Sequence, residues 1–127
     1  MRSRKTLCSC MMSAAPKILF RLRVVAGKEI AIGPGKVDLL EAIRATGSIT
    51  AAAKTLGMSY RRAWLLVDTM NRCFRTPVVA TEAGGASGGG AELTAVGVEV
   101  VQRYRSIEAK AARAGATELA ALTALMK

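Results

Sequence analysis

The stretch Gly47-Ser48-Ile49-Thr50-Ala51-Ala52-Ala53-Lys54-Thr55-Leu56-Gly57-Met58-Ser59-Tyr60-Arg61-Arg62-Ala63-Trp64 decides the fold. Ser48 and Ser59 each stand where a helix start needs an acceptor, because a serine oxygen can take a bond from an orphan amide of the first turn. Between them Ile49, Ala52, Ala53 and Leu56 recur at helical spacing. Gly57 supplies the left-handed backbone of a tight turn, and Ala53 is small enough for a second helix to cross closely. The spacing predicts a helix-turn-helix whose second helix opens near Ser59.

On a helical wheel that second helix carries Tyr60, Ala63, Trp64, Val67, Met70, Asn71 and Phe74 on one side. Arg61, Arg62, Leu65, Asp68, Thr69, Arg72 and Arg75 fall on the other. The first side is expected to face the core with Trp64 as its packing anchor, and the second to face outward. In this motif the exposed start of the second helix enters a DNA major groove. Arginine can bond guanine through two donors and an aliphatic side chain can meet a thymine methyl, so Arg61, Arg62 and Leu65 are the candidates for base contact. Ser48, Thr50, Ser59 and Tyr60 occupy hydroxyl or helix-start positions suited to phosphate oxygens. The plainer alternative makes the arginines solvated charges, the serines caps alone, and Leu65 a surface contact.

Upstream, Ile18, Phe20, Leu22 and Val24 alternate with Leu19, Arg21, Arg23 and Val25, which predicts a strand over residues 17–26. Gly27-Lys28 turns it back into Glu29-Ile30-Ala31-Ile32, a hairpin. Gly33-Pro34-Gly35 breaks that pattern, and Val37, Leu39, Leu40, Ala42 and Ile43 follow as a helix that Gly47 ends. Downstream, Pro77 stops the second motif helix. Val78-Val79-Ala80-Thr81 and Glu92-Leu93 then flank a glycine run whose Gly84, Gly85, Ser87, Gly88, Gly89 and Gly90 form the tip of a small hairpin, the wing. Thr94 caps a long helix with an apolar stripe of Val96, Val100, Val101, Tyr104, Ile107 and Ala111. That stripe is longer than one small domain easily covers, which points to a homodimer. A weaker helical stretch follows Gly115. The expected class is mainly α with small β-hairpins (α+β), a winged helix-turn-helix with an N-terminal hairpin and a long C-terminal helix.

The 127 residues suffice for one domain, assigned to 17–127 after a disordered tail over 1–16. Arg2, Arg4 and Lys5 precede a short apolar run in that tail, but the run is too brief and too polar at Ser9 for a secretory leader. Lys and Arg outnumber Asp and Glu by 19 to 9, a formal charge of +10 that attracts polyanions. Residues 60–75 concentrate Arg61, Arg62, Arg72 and Arg75 against the single Asp68. With no histidine, most zinc and general-base chemistry is disfavoured, and no cofactor, metal or enzymatic activity is expected. Cys8, Cys10 and Cys73 leave an odd thiol, which fits a reducing, cytoplasmic setting. No stretch has the apolar length of a membrane span. A protein-docking winged helix, or an RNA-binding protein, is the competing reading.

Ile32-Gly33-Pro34-Gly35-Lys36, Leu39-Leu40-Glu41-Ala42-Ile43, Gly47-Ser48-Ile49, Ala52-Ala53-Lys54, Gly57 to Trp64, Met70-Asn71, Gly84-Gly85, Gly88-Gly89-Gly90-Ala91 and Leu93-Thr94 together resemble the N-terminal DNA-binding domain of the molybdate-responsive ModE regulators, a LysR-like winged helix. The resemblance implies double-stranded DNA as partner, palindromic sites and dimerisation through terminal elements including the last long helix. Two departures stand out. The wing has Ala86 and Ser87 where similar proteins tend to place a lysine, and Thr81 where they often have arginine. Relatives also continue into β-rich molybdate-binding domains, whereas only residues 112–127 follow Ala111 here, so the chain is expected to lack that domain and to bind no molybdate by itself.

Overall fold

Gly33 and Pro34 turn the chain from a hairpin into the central helix: proline at the first helical position lacks only an amide that would be unbonded there anyway. The computed structural model describes residues 15–82 and 90–127. The hairpin pairs β1 (Val24–Ala26) with β2 (Glu29–Ile32) around Gly27, whose φ of 64° suits glycine. The strand expected over 17–26 is therefore shortened to its last three residues. Its partner turns away at Gly33, so residues 15–23 have no ladder to join, and Ile18, Leu19 and Phe20 are exposed instead.

Helix α1 (Pro34–Thr46) buries Val37, Leu39, Leu40 and Ile43 completely and ends at Gly47 in the left-handed region, φ 74°. Each of these side chains contributes roughly 1.5–3 kcal/mol by leaving water, which makes α1 the centre of the core. Around it pack α2 (Ile49–Leu56), α3 (Tyr60–Cys73) and α4 (Ala95–Ala114). A short α5 (Ala116–Ala124) buries none of its residues.

The wing is built from β3 (Val79–Thr81) and β4 (Ala91–Leu93), antiparallel with Val79 opposite Leu93 and Thr81 opposite Ala91. Its base is tied down from three sides. The Asn71 Oδ1 accepts from the Val78 and Val79 amides at 2.8 and 3.2 Å while its Nδ2 donates to the Val79 carbonyl at 3.3 Å. The Ala91 amide donates to the Gly47 carbonyl at 2.9 Å, and the Thr94 hydroxyl donates to the Pro77 carbonyl at 2.6 Å. The tip assigned to Gly84, Gly85, Ser87, Gly88 and Gly89 lies outside the described residues; Gly90 accepts from the Glu82 amide at 2.9 Å.

Helix α4 is fixed to α1 by Arg105, which donates to Asp38 at 2.9 Å, to Glu41 at 2.6 and 3.1 Å and to Glu108 at 2.9 Å. The Tyr104 hydroxyl donates to the Leu22 carbonyl at 2.8 Å and pins the N-terminal segment to the same helix. The hydrogen bond from Arg105 holds the Glu41 carboxyl below the usual carboxylate range, against an opposing push from partial burial. A depressed carboxylate pKa adds stability above the ordinary value near 4.5, and that stability drains away as pH falls through the lower folded value. These groups are well exposed, so the contribution is small. Glu41→Gln is expected to lower the melting temperature slightly at neutral pH and to flatten its decline in acid. Thermal melts of both proteins across pH 3 to 7, on the order of one pH unit apart, check this.

Candidate nucleic-acid interface

The turn between α2 and α3 follows from local chemistry. The Ser48 Oγ accepts from the Ala51 amide and the Ser59 Oγ from the Arg62 amide, both at 3.1 Å, so both serines are N-caps. At the other end of α2, Gly57 takes φ 68° and the Met58 amide reaches back to the Ala53 carbonyl at 3.0 Å. Ala52, Ala53 and Ala63 are buried where α1, α2 and α3 meet, and side chains this small permit the close crossing. The start of α3 is thereby fixed and left open to solvent.

On that surface Arg61, Arg62 and Leu65 are all exposed, as are Thr50, Ser59 and Tyr60, while Ser48 is half-buried. Among the described residues neither Arg61 nor Arg62 forms an ion pair, whereas Arg72 pairs with Asp68 at 3.0 Å and with Glu29 at 3.7 Å. The carboxylates thus neutralise the far end of α3 and leave its N-terminal turn positive. Ser48 and Ser59 cap with an oxygen lone pair, so each keeps a hydroxyl proton to donate.

Trp64 departs from expectation. It is 37% exposed and Tyr60 51% exposed, so neither is a core residue. The buried line of α3 runs through Ala63, Val67 and Met70 only, and Trp64 lies about 100° round the helix from Ala63. Its Nε1–H donates to the Tyr60 hydroxyl oxygen, which leaves the Tyr60 proton free to point at a partner. Trp64→Ala is therefore expected to cost about 1–2 kcal/mol rather than the roughly 3–5 typical of a fully buried aromatic. Chemical denaturation of the two proteins checks it.

The stripe assigned to dimerisation divides. Val101 and Tyr104 are buried within the chain, and Val96 and Val100 pack on the same core. Ile107 is 50% exposed and Ala111 half-buried. They share an apolar surface with Phe20 and Leu22, and α5 adds exposed Leu122 while Leu125 and Met126 are exposed just beyond it. Cys73 is half-buried at the end of α3, while Cys8 and Cys10 lie outside the described residues. Reasoning from the sequence alone overlooks Asn71 as the clamp of the wing. It is visible as a polar residue on an apolar helix face.

No family model matches the chain. It is 40% identical over 94 residues to the molybdenum transport protein ModE of Azotobacter vinelandii, covering 74% of this chain and 35% of that protein. It is 46% identical over 82 residues to the molybdenum-pterin-binding protein MopB of Rhodobacter capsulatus, 65% of this chain and 30% of that one. The DNA-binding transcriptional dual regulator ModE of Escherichia coli K12 is 39% identical over 71 residues, 56% and 27% of the two chains. The chain thus spans about a third of the length of these curated relatives. Among solved structures it resembles the DNA-binding protein of the CbnR_DBD–DNA complex, with a TM-score of 0.55 and 24% identity over 69% of this chain and 95% of that one. Sequence and fold agree on one assignment, a ModE-like winged helix-turn-helix domain.

Proposed function

We propose that the chain is a sequence-specific DNA-binding transcriptional regulator that inserts α3 into the major groove of double-stranded DNA. The observation that carries this reading is the pair of exposed arginines, Arg61 and Arg62, without ion pairs among the described residues, on the first turn of a helix whose start is fixed by the Ser59 cap and the Gly57 turn. Leu65 lies one turn on and reads thymine methyls. Ser48, Thr50, Ser59 and Tyr60 supply donors to the flanking phosphates. The names of the regulators that the chain resembles support the same conclusion.

The active form is a homodimer that uses the uncovered part of the α4 stripe, Ile107 and Ala111, with the apolar end of α5. Its sites are accordingly two-fold repeats with half-sites one helical turn, or a multiple, apart. Repeated rounds of binding and amplification from a random duplex pool test the reading. Enrichment of an inverted repeat is expected; an unchanged pool, or a single asymmetric half-site, would refute specific binding or dimeric binding respectively.

A further inference from the structure

Trp64 is the only tryptophan of the chain, and it stands at the surface. A ring of that size left partly exposed on α3 forgoes some of the stabilisation that full burial would give it. What it makes instead is a hydrogen bond: the indole Nε1–H donates to the Tyr60 hydroxyl oxygen, one turn earlier. Helix geometry brings this about, because long side chains lean toward the N-terminus and cover the residue four positions before them. Tyr60 opens α3 directly after the Ser59 cap and is exposed. At about 100° per residue the pair sits between the buried line through Ala63 and Val67 and the outer face, with Trp64 about 60° from Arg61. The bond constrains the phenol. A tyrosine hydroxyl has one proton to give and lone pairs to receive with, so an indole N–H on its oxygen turns that proton elsewhere. Among the described residues no group accepts it.

We propose that Trp64 is a positioning residue for DNA binding, whose indole N–H holds the Tyr60 phenol with its proton turned outward to donate to a phosphate oxygen of the DNA backbone. This rests on the DNA-binding reading, in which Tyr60 meets phosphate, and adds Trp64 to it. The indole contributes through Tyr60 rather than by a contact of its own. It keeps an exposed side chain in one arrangement before DNA arrives, so less ordering remains to be done on binding. Hydrogen bonds in a chain also polarise one another, which makes the phenol a better donor with the indole on its oxygen than without it. A phosphate contact carries no sequence information, so the pair sets affinity and register and not the choice of bases.

The test uses the full chain and random-sequence double-stranded DNA, with two replacements at position 64 that lack the N–H. One is Trp64→Phe. The other is β-(3-benzothienyl)alanine, which keeps the shape of the indole with sulfur in place of the N–H and, with a single tryptophan in the chain, enters at this position alone. Each is made in the wild type and in Tyr60→Phe, and affinity is measured at several salt concentrations. Tyr60→Phe is expected to weaken binding roughly tenfold or more, as for a lost hydrogen bond to a charged group. Either replacement at 64 should weaken it about 2- to 10-fold in the wild type, the cost of ordering a side chain no longer held, and should have no further effect in Tyr60→Phe. The slope of log affinity on log salt should stay the same throughout, because a phenol releases no counterion. In the free protein the one indole N–H resonance should move upfield in Tyr60→Phe as its bond is lost. Replacements at 64 that bind like the wild type overturn the proposal. So do equal losses in the two backgrounds, which would mean that the ring itself meets the DNA. A changed salt slope overturns it as well, because the charged contacts would then have moved, and so does an indole resonance that stays in place or a Tyr60→Phe variant that binds as tightly as the wild type. A wild type that does not bind the duplex at all would bring down the DNA-binding reading itself.

Discussion

Gly97→Ala is expected to destabilise the protein by about 3 kcal/mol and to lower its melting temperature by more than ~10 °C. Gly97 is buried in the first turn of α4, its amide bonded to the Thr94 hydroxyl at 3.1 Å. An added Cβ would run into the Val78 carbonyl oxygen, sit 3.0 Å from the carbonyl carbon and 3.3 Å from the Leu93 Cβ. The obstruction is backbone, which cannot swing aside as a side-chain tip can. It is also committed backbone, because that carbonyl accepts from the Thr94 amide at 3.0 Å and the Val78 amide is held by Asn71. Helix propensity pulls the other way by about 1 kcal/mol in favour of alanine, so the sign of the result decides which effect governs. A melt showing Gly97→Ala as stable as the wild type would mean that α4 and the wing base do not approach closely. If instead the variant folds but with Val78 displaced, the wing moves with it and DNA affinity should fall more than stability alone explains.

What can be read from the sequence is what local hydrogen bonding determines. Ser48, Ser59 and Thr94 cap helices because each accepts from an amide three residues ahead. Gly47 and Gly57 close helices because their φ of 74° and 68° suits glycine alone at low cost. The same locality makes the exposed start of α3 legible, with Arg61, Arg62 and Leu65 on its outer surface.

What cannot be read depends on partners distant in sequence. A period of two over residues 17–26 is a fair strand signal, but a ladder is only as long as its shorter strand, and β2 ends at Ile32. The stripe on α4 is apolar as expected, yet periodicity does not say which molecule covers it. Val101 and Tyr104 meet the chain's own core, leaving Ile107 for other uses. Size alone would draw Trp64 toward the core, whereas the buried line of α3 runs through Ala63, Val67 and Met70 and leaves Trp64 about 100° round the helix from Ala63. Arg105 binds carboxylates on α1 more than sixty positions earlier, a pairing that no local pattern announces.

Arg61→Ala and Arg62→Ala are each expected to weaken binding to a selected duplex by about 1–3 kcal/mol, roughly 5- to 150-fold, for whichever arginine meets a guanine edge with both donors. The fold should be indifferent to either change, since both side chains are exposed and neither has an ion pair among the described residues. The two kinds of contact should nevertheless behave differently. Loss of a phosphate contact should appear equally on random-sequence DNA, with a smaller salt slope. Loss of a base contact should be concentrated on the selected sequence and should relax the preference at one base pair in each half-site. Fluorescence anisotropy with the selected duplex, its single-base variants and a scrambled control separates these effects. If both variants kept the wild-type ratio of selected to scrambled affinity, the first turn of α3 would not be reading bases, and specificity would have to come from DNA shape or from the wing.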